Sequence, residues 1–200
     1  MLPLFLFAFL QTQTPTLDGT IAPGEWDRAT RATGSNGLEV FLLPTDSALY
    51  LAVRGTGDGF PHIALIRGDA IFLLHASAAL GTAMYGGDGE KKHLLQPFDF
   101  RVRGTALTGP DQAERDAFYA EEGWVASTIR MGVTGETEFK ITRVLVAPGD
   151  RIAVVYWSAA AGVARWPAAL GDAAVEERMV QGDLPEEAAF RPEEWGVVGR

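Results

Sequence analysis

The 200-residue chain has no cysteine, which excludes disulfides, thiolate metal centres and a lipidated N-terminal cysteine. It is also poor in basic charge: 17 Lys and Arg stand against 26 Asp and Glu, a net charge of −9. Affinity for polyphosphates rests on Lys and Arg neutralising phosphates, so nucleic acid and anionic membrane surfaces are poor partners for it. No apolar run reaches the about 20 residues of a membrane span. Absent too are the Gly-x-Ser-x-Gly elbow, the phosphate loop, the dinucleotide-binding Gly-x-Gly-x-x-Gly followed by a helix, and His-Glu-x-x-His, so the chain reads as a non-enzyme.

What remains suits one folded domain: 47% hydrophobic and 10% aromatic residues, with 23 Gly and 11 Pro that follow no period. Residues 1–14 open with the apolar run Met1 to Leu10, long enough for a signal-peptide core and pointing to a secreted or periplasmic protein. No Lys or Arg precedes that run and no small-x-small site follows it, which leaves an uncut hydrophobic arm as the alternative.

From residue 15 to 171, short β-rich stretches alternate with Gly, Pro, Asn and Asp, the rhythm of an all-β antiparallel sandwich. Strands are expected over 38–43, 49–54, 62–66, 70–77, 94–102, 124–130, 136–142 and 151–157. Period two sets Leu49, Leu51 and Val53 toward a core and Tyr50, Ala52 and Arg54 toward water; Thr137, Phe139 and Ile141 oppose Glu136, Glu138 and Lys140 in the same way. Thr45-Asp46-Ser47 and Arg67-Gly68-Asp69 read as short turns between antiparallel neighbours. One helix is expected near 110–122, started by Pro110, ended by Gly123 and capping the sandwich. Residues 172–200 hold eight acids against three arginines, a net of −5 out of −9, and read as a solvated segment, with an acidic docking arm as the alternative.

Five tryptophans are candidates for stacking on a sugar ring. Trp26 reads as a core plug. Trp124 and Arg130 share a strand face, and would form an outer platform if Val125 and Ile129 point inward. Trp157 and Trp166 flank a short loop that would bring them together. His75, Ser77 and Tyr85 would lie at strand ends where a sandwich presents residues to a ligand. Gly55-Thr56-Gly57-Asp58-Gly59 reads as a turn, since it lacks the lysine of a phosphate loop. Glu121 and Glu122, or Glu136 and Glu138, are adjacent on one element, whereas a glycosidase pair faces across a cleft; they read as a solvated face. Asp18 and Asp58 are a conceivable structural calcium site without supporting spacing.

Leu17-Asp18-Gly19-Thr20-Ile21-Ala22-Pro23-Gly24-Glu25-Trp26-Asp27-Arg28-Ala29, followed by the strand Ala48-Leu49-Tyr50-Leu51-Ala52-Val53, resembles the opening of family 9 carbohydrate-binding modules and the wider DOMON-like group. The stretch 75–81 and Glu122-Gly123-Trp124 look like uncharacterised bacterial relatives of that group. The resemblance implies an extracytoplasmic β-sandwich that binds saccharide or, in some members, haem. The cofactor itself stays unknown: non-covalent haem would use His62, His75 or His93 with Met84 or Met131. The expected function is recognition of a saccharide or related small ligand through Trp124, Arg130, His75, Tyr85, Ser77, Trp157 and Trp166. A haem-binding electron carrier and a docking module for an envelope protein partner are the alternatives.

Overall fold

The computed structural model describes residues 14–104, 111–127, 135–171 and 175–199. Two antiparallel sheets face each other, as the sequence predicts. The strands are β1 (Thr30–Thr33), β2 (Glu39–Pro44), β3 (Ala48–Arg54), β4 (Gly59–Arg67), β5 (Ala70–Ala76), β6 (Leu80–Gly86), β7 (Lys91–Gln96), β8 (Trp124–Ala126), β9 (Glu136–Thr142), β10 (Arg151–Ser158), β11 (Gly162–Trp166), β12 (Glu187–Ala189) and β13 (Gly196–Val197). The first sheet runs β1-β2-β3-β9-β8, and the second β11-β10-β4-β5-β6-β7-β12 with β13 added to β10. Between them lies a core of Leu49, Leu51, Val53, Ile63, Leu65, Leu74, Phe139, Ile141, Ile152, Val154 and their neighbours. Alternation puts one side chain in two on that face, and burying each aliphatic one contributes about 1.5–3 kcal/mol.

Helix α1 (Gln112–Glu122) forms where the punctuation predicts it, with the Asp111 side chain accepting from Ala113 N–H and Gly123 closing it in the left-handed conformation. Only Phe118 of this helix enters the core, edge-on to Trp124 at 5.2 Å. The glycine-rich turn 55–59 is shaped by Tyr156, whose hydroxyl donates to the Gly57 carbonyl at 2.7 Å. A Cβ on Gly55 would come within 2.3 Å of the Tyr156 ring, so no side chain fits there.

Both outer faces differ from expectation, because both are covered. Over the first sheet, residues 17–29 lay Ile21 and Trp26 onto Phe41, Leu43, Ala48, Tyr50 and Ala52. Glu138, expected in water, is fully buried beneath them. Its carboxylate accepts from Asp18 N–H (3.0 Å), Gly19 N–H (2.9 Å) and Trp26 Nε1–H (3.1 Å). Glu136 likewise accepts from Ile21 N–H and pairs with Arg54 at 2.7 Å. The Asp-Gly and Gly-Glu-Trp stretches therefore meet on two strand carboxylates, and the burial of Glu138 requires those donors.

Over the second sheet lies the C-terminal segment, which is a cover and not a solvated tail. Val175, helix α2 (Glu177–Val180) through Met179 and Val180, then Ala188, Phe190 and Trp195 bury themselves against Ala64, Ile71, Leu73, Ala83, Tyr85, Ala153 and Val155. Its acids stay on the outside: Glu176 and Glu194 pair with Arg178 and Arg191, and Glu187 approaches Lys91 and His93.

Candidate functional site

The turn at Gly68-Asp69 pairs Arg67 with Ala70, and five steps further out it sets His62 directly opposite His75. Directly paired residues share a face, and both imidazoles lie on the covered face of the second sheet. His75 Nδ1 and His62 Nε2 are 2.5 Å apart with the rings perpendicular, so one proton lies between them. On its other side His75 Nε2 meets the Ser77 hydroxyl at 2.7 Å. The result is a continuous chain, His62 to His75 to Ser77, running from the interior to the edge of the sheet.

Aromatic rings enclose this chain. Phe60, Phe98 and Phe100 stand 5.2, 5.4 and 5.0 Å from the His75 ring, and Trp157 packs on Phe60 at 5.4 Å. Phe100 approaches because its neighbour on β6 is Gly81, where a Cβ would lie 2.9 Å from the ring. Burial pushes both imidazoles toward neutrality: His75 falls to about 4, and His62, deeper and beside its partner, falls well below its ordinary value. The Val180 backbone favours a proton on His62, although Nδ1 makes no well-formed hydrogen bond.

Ser77 and His75 open onto a groove of about 410 Å³ lined by Phe60, Ala79, Phe100, Arg103 and Gln181. Its volume falls in the ordinary range of small-molecule sites. Two flat apolar rings, a hydroxyl, an imidazole, a carboxamide and a guanidinium are within reach of one small ligand.

Of the residues singled out in the sequence, His75 and Ser77 are in this groove and Trp157 stands behind its Phe60 wall. Trp124 is not on an outer face. It is fully buried between the sheets, where Nε1–H donates to Thr82 Oγ1 at 2.8 Å, and the large ring closes the end of the core that α1 covers. Its expected partner Arg130 lies outside the described residues, as does Met131. Tyr85 is on the face of His75 but beneath the C-terminal cover, its hydroxyl donating to the Pro185 carbonyl at 2.9 Å. Trp157 and Trp166 are not brought together: Trp166 points into the inter-sheet core and Trp157 to the opposite face.

The haem ligand sets that use Met84 do not converge either, and those that use Met131 lie outside the described residues. Met84 pairs with Phe72, on the face of β6 opposite to His75, and His93 is exposed beside Glu187. A tetrahedral metal bound by His62 and His75 would set their nitrogens about 3.3 Å apart, from two bonds of about 2.0 Å, where 2.5 Å is found. Among the described residues no three His, Asp or Glu gather as a metal site, and no helix is long and apolar enough to cross a membrane.

Phe60, Phe100, Arg103 and Gln181 carry no site reading from the sequence, and His62 only one as a haem ligand. The turn read as Arg67-Gly68-Asp69 would set His62 opposite Leu74, and the pairing with His75 follows only because Arg67 belongs to β4 and the turn has two residues. Arg103 and Gln181 carry no such signal, arriving from a crossing segment and from the C-terminal cover. The chain was compared with family models, curated proteins and solved structures, and it matches none of them.

Proposed function

We propose that this is a non-catalytic, extracytoplasmic binding domain whose groove beside His75 and Ser77 takes up a saccharide or a related small ligand. The observation that carries the reading is the groove itself: Phe60 and Phe100 offer faces for the apolar side of a sugar ring, while Ser77, His75 and Gln181 offer hydrogen bonds in its plane. The buried chain suits such a task. Two neutral tautomer arrangements serve it: with Nδ1–H on both rings, His75 Nε2 accepts from Ser77 and the hydroxyl offers lone pairs, whereas with Nε2–H on both rings His75 donates to Ser77 and the hydroxyl proton is free for the ligand. The resemblance of residues 17–29 and 48–53 to family 9 carbohydrate-binding modules and the DOMON-like group supports the ligand class. The apolar run at 1–10 supports a secreted or periplasmic setting.

The order Ser-His-His also invites a hydrolytic reading, which two features disfavour. Burial holds His75 at about 4, a weak base at neutral pH. The Ser77 backbone N–H, a common oxyanion donor, is committed to the Ala79 carbonyl at 3.0 Å.

The test is a titration of the purified protein against soluble oligosaccharides, with retention on insoluble polysaccharides measured in parallel. Saturable binding that Ser77→Ala weakens while the fold persists is the expected result. Absence of binding across neutral and acidic saccharides overturns the reading.

A further inference from the structure

Resting on that reading, we propose that the groove selects an acidic saccharide, one carrying a uronate carboxylate, and that Arg103 receives the carboxylate. The first observation is electrostatic. In a chain of net charge −9, no Asp or Glu among the described residues lines this groove. Arg103 is exposed at its lip and has no ion pair among the described residues. Arg101 and the arginines of the hollow over Phe41 are, by contrast, engaged. Two residues earlier, Arg101 is held by Asp99, Glu121 and Glu122. In the hollow over Phe41, Arg31 faces Asp27 and Arg54 is held by Glu39 and Glu136.

The second observation is conformational and independent of charge. Between Arg101 and Arg103 stands Val102 at φ +55°, a left-handed conformation that a β-branched residue adopts only under constraint. The constraint is visible: Val102 is fully buried in the inter-sheet core and its N–H donates to the Glu114 carboxylate at 2.9 Å. Beyond it, Gly104 N–H is tied to the Ala78 carbonyl at 2.9 Å, on the groove wall. Extended backbone would place Arg101 and Arg103 on one side, beside the same carboxylates. The kink at Val102 instead separates them, leaving Arg101 on the helix acids and Arg103 on the groove. Backbone strain held in place at Val102, next to a cation with no ion pair among the described residues, is the pattern of a ligand clamp.

A guanidinium is suited to a carboxylate because its two parallel N–H groups match the two oxygens. The Phe60 and Phe100 faces and the Ser77 hydroxyl would hold the ring that bears it, which makes a sugar acid a better fit than a free inorganic anion.

The experiment is calorimetric titration of the full chain with oligogalacturonate and with its methyl ester, which keeps the sugar and removes the charge. The acid is expected to bind about tenfold or more tightly than the ester, the preference shrinking with added salt. In Arg103→Gln, an exposed substitution that spares the core, acid and ester should bind alike. Equal binding of acid and ester by the unaltered protein overturns this inference and leaves the saccharide reading standing. A preference that survives in Arg103→Gln removes Arg103 from the role. If neither form nor any neutral saccharide binds, both readings fall.

Discussion

Trp26 and Glu138, 112 positions apart, are joined by a hydrogen bond of 3.1 Å from the indole Nε1 to the carboxylate Oε1. The contact ties the N-terminal strap to the central strands of the first sheet, and it explains why an acidic residue stands on a strand face that no water reaches. Without the strap, the same carboxylate would be solvated and the face beneath it, with Phe41, Tyr50 and Ala52, laid bare.

Trp26→Phe should therefore destabilise the protein by about 1–3 kcal/mol, the cost of leaving a buried acceptor short of a partner. Trp26→Ala should cost about 3–5 kcal/mol, as it also empties a large core position. Urea unfolding followed by circular dichroism checks both. Equal stability of Trp26→Phe and the unaltered protein would show that the hydrogen bond contributes nothing.

The buried histidines and the buried Glu138 act on stability with opposite signs. His75 takes its proton at about 4 when folded and near 6.5 when unfolded, so stability is lost as pH falls through that window, by about 3 kcal/mol in all, and His62 adds in the same direction. Burial lifts Glu138 to about 7 from an ordinary 4.5, the N–H donors offsetting part of the rise. Its contribution, also about 3 kcal/mol, is complete below 4.5 and lost as pH rises through 7. The windows overlap, so the intact protein should show a flattened profile. Glu138→Gln should steepen the loss of stability between pH 6.5 and 4, and His75→Gln should reduce it. Superimposable profiles for Glu138→Gln and the unaltered protein between pH 4.5 and 7 would refute the assignment.

The C-terminal segment should behave as part of the core. Met179→Ala, at a fully buried position against the second sheet, should cost about 2–5 kcal/mol. Glu187→Ala, removing an exposed acid a few residues on, should change stability by no more than about 0.5 kcal/mol. Thermal melts of the two variants decide the matter: near-identical melting temperatures would restore the solvated tail that charge alone suggests.

Ligand in the groove should be reported by Trp157, which packs on the Phe60 wall, and not by Trp124, which is sealed between the sheets. A saccharide-induced change in tryptophan fluorescence should accordingly vanish in Trp157→Phe and persist in Trp124→Phe. The reverse outcome would move the site to the end of the core that α1 covers.

The sequence by itself determined the all-β class, the placement of α1 and most central strands, because period-two burial and Gly, Pro and Asp punctuation are local and additive. Whether Arg67 joins the strand or the turn, and so whether His62 meets His75 or Leu74, was left to the structure. Which face of each strand stays wet was not a local matter. Glu138 and Tyr50 read as solvent-facing, and Met179 and Phe190 as part of a solvated tail, because alternation and charge describe a segment without saying what lies over or under it. Only the tertiary structure decided that residues 17–29 and 175–198 close over the two sheets. The same holds for Trp124, whose direction was set by Thr82 in the opposite sheet and by Phe118 of the helix. Arg103 and Gln181 reach His75 from distant segments, so a groove assembled by chain crossings carries no spacing for a sequence to display.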